Sequence, residues 1–318
     1  VGEGIKTRVA IMGAGAIGSL FGSLLAEAGN EVYLIGRASL MEAVRQRGLW
    51  LRGITAKHVL SLHAEDSPQN LRSQAFDVVF LTVKAYDTQE ACSQLKPILD
   101  GGTPVLCLQN GIGVEEKAAK ALGRRSLLRG VTFCGAFLEA PGSVRFTGRG
   151  ETVLGLPFKE TDGRLLEKAW LAAEALNAAG LPARVEKKIE GAVWMKTLIN
   201  AGINPYGALT GLRNGELLEV GEMGELMAET VEEGTRVACR LGVALPGDPV
   251  EEMFRTVKAT AGNFNSMLQD VRRGKPTEID YLNGAVAKLG FKASVPAPLN
   301  RLLTVLVKSL ERRGKPTC

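Results

Sequence analysis

The sequence predicts an α/β domain over residues 1–187 followed by an all-helical domain over residues 188–318, and three observations carry that reading. Short apolar, β-branched runs alternate with helix-period segments through the first half of the chain, the pattern of a parallel sheet with crossover helices. After about Val185 only helical spacing remains. A glycine-rich turn joins the first strand to the first helix.

Each element has a local reason. Arg8–Met12 is a short β-like run, and residues 17–28 have helical spacing, with Leu20, Phe21, Leu24 and Leu25 on one side and Gly29-Asn30 as the stop. Glu31–Ile35 alternates as a second strand, and residues 76–83 are apolar and β-branched, as in a buried parallel strand. A helix is expected over 87–95, a strand over 104–108 and a helix over Val114–Leu122. Three β-like stretches follow at 127–137, 143–146 and 152–156, with Pro141-Gly142 as a turn, and then a helix over 163–179 closed by Gly180. The second domain reads as helices over 189–204, 216–241, 250–261, 277–289 and 299–311, with Gly242 and Gly290 where C-terminal caps belong. No internal repeat or low-complexity segment interrupts them.

Composition narrows the function. The 318 residues are 45% hydrophobic and 23% charged, the balance of a cored, soluble protein. The longest purely apolar runs, such as Val78-Val79-Phe80-Leu81, fall far short of the ~20 residues of a membrane span. The run after Lys6 and Arg8 is stopped at once by Gly13, too soon for a signal-peptide core. The net charge of +5 is spread out except for Arg312-Arg313-x-Lys315, so there is no basic stripe of a nucleic-acid binder; a mild positive balance suits anionic small molecules, and solubility alone is the alternative. The five cysteines are scattered and lack C-x-x-C spacing, and the two histidines lack ligand company, so reduced thiols in a cytoplasm and no metal are expected.

Gly13-Ala14-Gly15-Ala16-Ile17-Gly18 is a G-x-G-x-x-G motif directly after a strand and at the start of a helix. Gly13 permits the tight turn, Gly15 lets backbone approach a pyrophosphate, and Gly18 lets the helix pack close to the sheet. The helix N-terminus then offers free N–H groups to the anion. This is the signature of a Rossmann-type dinucleotide-binding domain. An NAD enzyme would typically end the second strand with Asp or Glu. Here the strand ends Ile35-Gly36-Arg37, and a guanidinium there suits the 2′-phosphate of NADPH, although a solvated loop arginine is the plain alternative. Two further strand ends, Thr82-Val83-Lys84 and Leu108-Gln109-Asn110-Gly111, point to the same crevice, so Lys84 and Asn110 are candidates for cofactor contact; a surface lysine and an Asn-Gly turn are the alternatives.

The chemistry is carried further along. Lys196, Asn200 and Asn204 lie at i, i+4 and i+8, one polar stripe on an otherwise apolar helix. A buried lysine among amides is suited to donating a proton; the spacing equally fits an ordinary amphipathic helix with a surface lysine. A second cluster is Asn265-Ser266-Met267-Leu268-Gln269-Asp270 followed by Pro276-Thr277-Glu278-Ile279-Asp280, in which Thr277 and Asp280 resemble a capping box with Glu278 in the first helical turn.

These segments together resemble the ketopantoate reductase (2-dehydropantoate 2-reductase) family over nearly the whole chain. The resemblance rests on the early glycine motif, Lys84, Gln109-Asn110-Gly111, Lys196-x-x-x-Asn200-x-x-x-Asn204-Pro205, Asn214-Gly215-Glu216-Leu217, Ser266-Met267-Leu268-Gln269-Asp270 and Thr277-Glu278-Ile279-Asp280. It implies NADPH-dependent reduction of 2-dehydropantoate to (R)-pantoate in pantothenate biosynthesis. Lys196 then corresponds to the catalytic lysine that protonates the keto oxygen, and Glu278 to the glutamate at the nicotinamide end, where it supports catalysis and cofactor placement. Asn200, Asn204, Asn214 and Ser266 correspond to substrate contacts, and Arg37, Lys84, Asn110 and Ala136 to cofactor contacts. Asn265 departs from the pattern, since many relatives have a second serine there, and the change is expected to adjust carboxylate recognition. A reductase of another 2-oxo acid on the same scaffold and a non-catalytic NADPH sensor are the alternatives. A homodimer is compatible with the sequence, which does not itself set the oligomeric state.

Overall fold

The computed structural model describes residues 6–158 and 163–313. The chain divides into two units, one holding residues up to Gln109 and Val114–Ile189, the other Asn110–Gly113 and the chain from Glu190 onward. The first runs β1 (Arg8–Met12), α1 (Ala16–Glu27), β2 (Glu31–Ile35), α2 (Ala38–Arg47), β3 (Leu49–Gly53), β4 (Lys57–Val59), β5 (Leu62–Glu65), β6 (Val78–Leu81), α3 (Thr88–Leu95), β7 (Val105–Cys107), α4 (Val114–Leu122), β8 (Leu127–Thr132), β9 (Gly135–Ala140), β10 (Ser143–Gly148), β11 (Thr152–Gly155), α5 (Gly163–Ala178) and β12 (Ala183–Glu186). The second has α6 (Glu190–Thr210), α7 (Met223–Arg240), α8 (Pro249–Ala259), α9 (Ser266–Arg272), α10 (Asn283–Lys292) and α11 (Pro298–Arg313), with short 3-10 turns at Gly215–Glu219 and Ile279–Tyr281.

In the α/β unit the main sheet has the order β12-β11-β8-β7-β6-β1-β2-β5, parallel except where β11 meets β8. Successive residues of β1 enter opposite cores: Val9 and Ile11 face one, Ala10 and Met12 the other. That is why its pattern is continuously apolar rather than alternating. The strand order reverses at β1, flanked by β2 and β6, which makes the carboxyl end of β1 the topological switch point where ligands bind in such sheets. A second sheet, β4-β3-β10-β9, packs on the other side of α1, sharing its core through Leu49, Leu51, Val144 and Phe146. Helix α1 is thus covered on both sides, and Gly18 through Ala26 are buried. In the helical unit α6 is central, buried from Ala192 through Ala208 apart from Lys196 and Asn200, and packed by α7, α8, α9 and α11.

Several expectations are corrected. The β-like stretch at 127–137 is two strands, β8 in the main sheet and β9 in the small one. Helix α2, strands β3, β4, β5 and β12, and helix α9 have no counterpart in the sequence reading. Helix α6 does not stop before Pro205 but continues to Thr210. The expected helix over 216–241 is a 3-10 turn and then α7, and the one over 277–289 is a 3-10 turn followed by α10. Gly290 lies inside α10 rather than capping it; a Cβ there would stand 2.6 Å from the Val295 carbonyl, so close backbone approach is its reason. The basic tail runs out of the described residues at Lys315, as does Cys318.

Candidate active site

The glycine turn follows β1 at the switch point. Gly13 has φ +114°, and a Cβ there would stand 2.5 Å from the Val83 amide nitrogen, so only glycine fits. A Cβ on Gly18 would meet the Gly13 carbonyl oxygen at 2.1 Å, which is how α1 comes so close to the turn. Gly15, by contrast, faces open space, with nothing within 4 Å of its Cβ position. It is the N-cap of α1, supplies no side-chain hydrogen bond, and no acidic residue occupies the first turn. The free N–H groups and the positive helix end are therefore available to an anion beside an open cradle, which fits the pyrophosphate of a dinucleotide. Thr82, unassigned from sequence, locks this turn: its Oγ1 donates to the Gly13 carbonyl at 2.7 Å. Its only sequence signal was its place just beyond a buried strand.

Arg37 directly follows Gly36 at the end of β2 and is exposed at the N-cap of α2, with no protein partner for its guanidinium among the described residues. Lys84 is half-buried just beyond β6. Ala136 lies in β9, which packs against α1. Beyond β7, Gln109 is buried, and its Nε2 donates to Thr88 Oγ1 at 3.1 Å.

In the helical unit, Lys196 and Asn200 are half-buried and Asn204 is 5% exposed, so the stripe is enclosed at one end and accessible at the other. Among the described residues neither amide side chain of Asn200 or Asn204 has a protein hydrogen bond, which leaves both for a ligand. Asn214, before the 3-10 turn, donates from Nδ2 to Thr260 Oγ1 at 2.8 Å, while its buried Oδ1 has no hydrogen-bond partner among the described residues. Glu278 is 6% exposed and accepts from Asn110 Nδ2 at 3.3 Å, so two candidates separated by 168 positions meet. The Asn110–Gly113 turn is held by Ile112, whose N–H donates to the Tyr281 carbonyl at 2.9 Å.

The capping box is not formed. Thr277 bonds Glu311 through both its N–H and its hydroxyl, Asp280 pairs with Lys308, and Glu278 precedes a 3-10 turn. Ser266 is exposed at the first position of α9. Asn265 is its N-cap: Oδ1 accepts from the Leu268 N–H at 3.0 Å, the role a serine performs equally well. Its larger amide is accommodated because residue 207 is glycine; a Cβ there would stand 2.1 Å from Asn265 Nδ2. Among the described residues no cluster of metal-ligating side chains occurs, and no helix is long and apolar enough to cross a membrane.

Comparison with known proteins matches this arrangement over its length. The family model for ketopantoate reductase PanE/ApbA matches residues 9–157, and that for its C-terminal part matches residues 188–311. A 2-dehydropantoate 2-reductase from Pyrococcus horikoshii is 39% identical over 307 residues, covering 96% of this chain and 98% of the relative. A PanE/ApbA family ketopantoate reductase from Ralstonia eutropha superposes with TM-score 0.87 at 34% identity, over 96% of this chain and 99% of that one. D-mandelate dehydrogenase, solved with NADH and anilino(oxo)acetate, superposes with TM-score 0.85 at 29% identity, over 96% and 99%. Two matched family models that together span nearly the whole chain, and relatives matched from end to end, place this chain in the ketopantoate reductase family.

Proposed function

We propose that this chain reduces 2-dehydropantoate to (R)-pantoate with NADPH, the reduction required in pantothenate biosynthesis. The observation that carries the reading is the α6 stripe, one lysine followed by Asn200 and Asn204, whose side-chain amides make no hydrogen bond among the described residues. A 2-oxo acid offers the complement, a ketone oxygen to protonate and a carboxylate and hydroxyl to bind.

In this reading residues 1–187 hold the cofactor and residues 188–318 the substrate. The chemistry that NADPH supplies when bound is hydride transfer to the C2 carbonyl carbon. Lys196, as ammonium, polarises the ketone oxygen and donates a proton from Nζ as the alkoxide forms. Asn200, Asn204 and Ser266 hold the carboxylate and hydroxyl, and the unpaired Oδ1 of Asn214 is an acceptor for a substrate hydroxyl. The backbone of Gly13, Ala14, Gly15, Ala16, Ile17 and Gly18 takes the pyrophosphate and Arg37 the 2′-phosphate. Lys84, Asn110, Ala136 and Glu278 complete the cofactor contacts, Asn110 and Glu278 acting as a bonded pair.

The test is NADPH oxidation with 2-dehydropantoate against other 2-oxo acids. Turnover at background with 2-dehydropantoate but brisk with an aromatic 2-oxo acid would assign the chain instead to the chemistry suggested by the D-mandelate dehydrogenase likeness. The reading extends to a cytoplasmic homodimer. Helix α11 exposes Leu302, Val305 and Leu306 along one face, an apolar stripe that a second copy would cover. Light scattering that gives the mass of one chain would remove the dimer.

A further inference from the structure

Pro205 leaves a defect in the most important helix of this proposed site. In an α-helix the carbonyl of residue 201 accepts the N–H of residue 205, and proline has none. The Ala201 carbonyl is therefore without its helical donor in the middle of a buried helix, where an unpaired acceptor is costly. The structure supplies one from outside: Asn283 Nδ2, at the start of α10 and 0% exposed, donates to the Ala201 carbonyl at 3.1 Å. The break lies between the two amides of the stripe, since Asn200 immediately precedes Ala201 and Asn204 immediately precedes Pro205.

The orientation of Asn283 is itself dictated. Its Nδ2 also donates to Asn300 Oδ1 at 3.1 Å. Asn300, fully buried in the first turn of α11, donates from its own Nδ2 to the Thr230 carbonyl at 2.9 Å and to Glu233 Oε2 at 3.0 Å. The Glu233 carboxylate, 4% exposed on α7, accepts further from the Leu299 and Asn300 N–H groups at the α11 N-terminus. A carboxylate offers only acceptors, so Asn300 must turn its NH2 toward Glu233 and its oxygen toward Asn283. Asn283 must then present its NH2 to both Asn300 and Ala201. A flipped amide would set oxygen against two oxygens. The chain Glu233–Asn300–Asn283 thus delivers one correctly aimed donor to the break in α6.

We propose that Asn283 is a positioning residue for substrate binding: it replaces the N–H that Pro205 lacks and so fixes the mutual orientation of Asn200 and Asn204. This rests on the reading of those two amides as substrate contacts. Among the described residues the hydrogen bonds of the Asn283 side chain go to the Ala201 carbonyl and to Asn300, not to the side chains of Asn200 or Asn204, so its effect passes through the backbone of α6.

The test is a coupled pair of substitutions in the full chain. Asn283→Leu keeps the shape and removes the donor, and KM for the 2-oxo acid should rise about tenfold while the dissociation constant for NADPH stays within about twofold. Pro205→Ala restores a backbone N–H to the Ala201 carbonyl, so Pro205→Ala/Asn283→Leu should recover KM to within about threefold of the parent. If Asn283→Leu alone does not fold, recovery of folded, active protein in the double variant is the same rescue, and hydrogen exchange over residues 196–210 should show protection restored. An unchanged KM in Asn283→Leu, or a double variant no better than the single, overturns the proposal. Asn200→Ala and Asn204→Ala separate the two levels. If they raise KM while Asn283→Leu does not, the positioning role alone fails; if they too leave KM unchanged, the assignment of the stripe to substrate has failed first.

Discussion

The α/β unit and the helical unit present polar groups for binding in opposite ways. In the first, the groups proposed to meet the pyrophosphate are backbone N–H groups, presented by a turn that carries three glycines within six residues. In the second the proposed binding groups are side chains on α6, and what aims them lies far away in sequence: Asn283 from α10, with Asn300 and Glu233 behind it. A local device fails when a local atom is added. A distributed device fails when a distant hydrogen bond is removed, and it is rescued when that bond is supplied some other way.

The largest expected effect tests the helical side. Lys196→Ala should lower kcat about 10³-fold, in the range for loss of a general acid, with NADPH affinity unchanged in a fluorescence titration. Unchanged turnover would remove Lys196 from the chemistry. Next comes a contrast within the glycine turn. Gly18→Ala places a methyl 2.1 Å from the Gly13 carbonyl and should cost about 1–3 kcal/mol in denaturant unfolding. Gly15→Ala meets nothing within 4 Å among the described residues, so stability should hold while NADPH affinity falls about tenfold. Equal behaviour of the two variants would mean that the turn does not divide its labour between packing and ligand approach. Arg37→Ala should lower the preference for NADPH over NADH about tenfold without changing stability, since the guanidinium has no protein partner among the described residues to lose.

The smallest effect concerns acid. The hydroxyl of Tyr33, and then Arg8, hold the Glu31 carboxyl below its ordinary range, and Asp100 is lowered by the Thr103 hydroxyl and by the N–H groups of Gly102 and Thr103. A folded-state pKa below the unfolded one contributes stability that is present above the unfolded value and lost as pH falls through the folded one. Thermal melts taken from about pH 7 to about pH 3 should therefore show an acid limb that Glu31→Gln with Asp100→Asn makes shallower. Asp100 is exposed and Glu31 half-buried at the surface, so the change is modest; an unchanged limb would show that they play no part in it.

What was legible in the sequence follows the same division. The β1–α1–β2 unit, the glycine turn and α4 could be read because each leaves a local pattern of residue types, although the partner that crowds Gly13 is Val83, about seventy residues on. The Lys196, Asn200, Asn204 stripe was visible as a spacing, and its accessibility was not. The small sheet β4-β3-β10-β9 was largely missed because its strands are short, half exposed and joined by a parallel pairing of β3 with β10 across about ninety residues. Asn265 read as a change in the substrate site, and the structure gives its oxygen to a helix cap, a local role that Asn and Ser share.

Pro205 marks the boundary most clearly. The sequence by itself determined that a proline follows Asn204, that the flanking residues favour a helix, and that one helical hydrogen bond must be missing. From those facts alone a helix end before Pro205 is the correct expectation. Whether the helix stops or continues is decided by whether another donor reaches the Ala201 carbonyl. Only the tertiary structure supplies that donor, because the cost of a missing bond is set by what packs against it and not by the residues on either side.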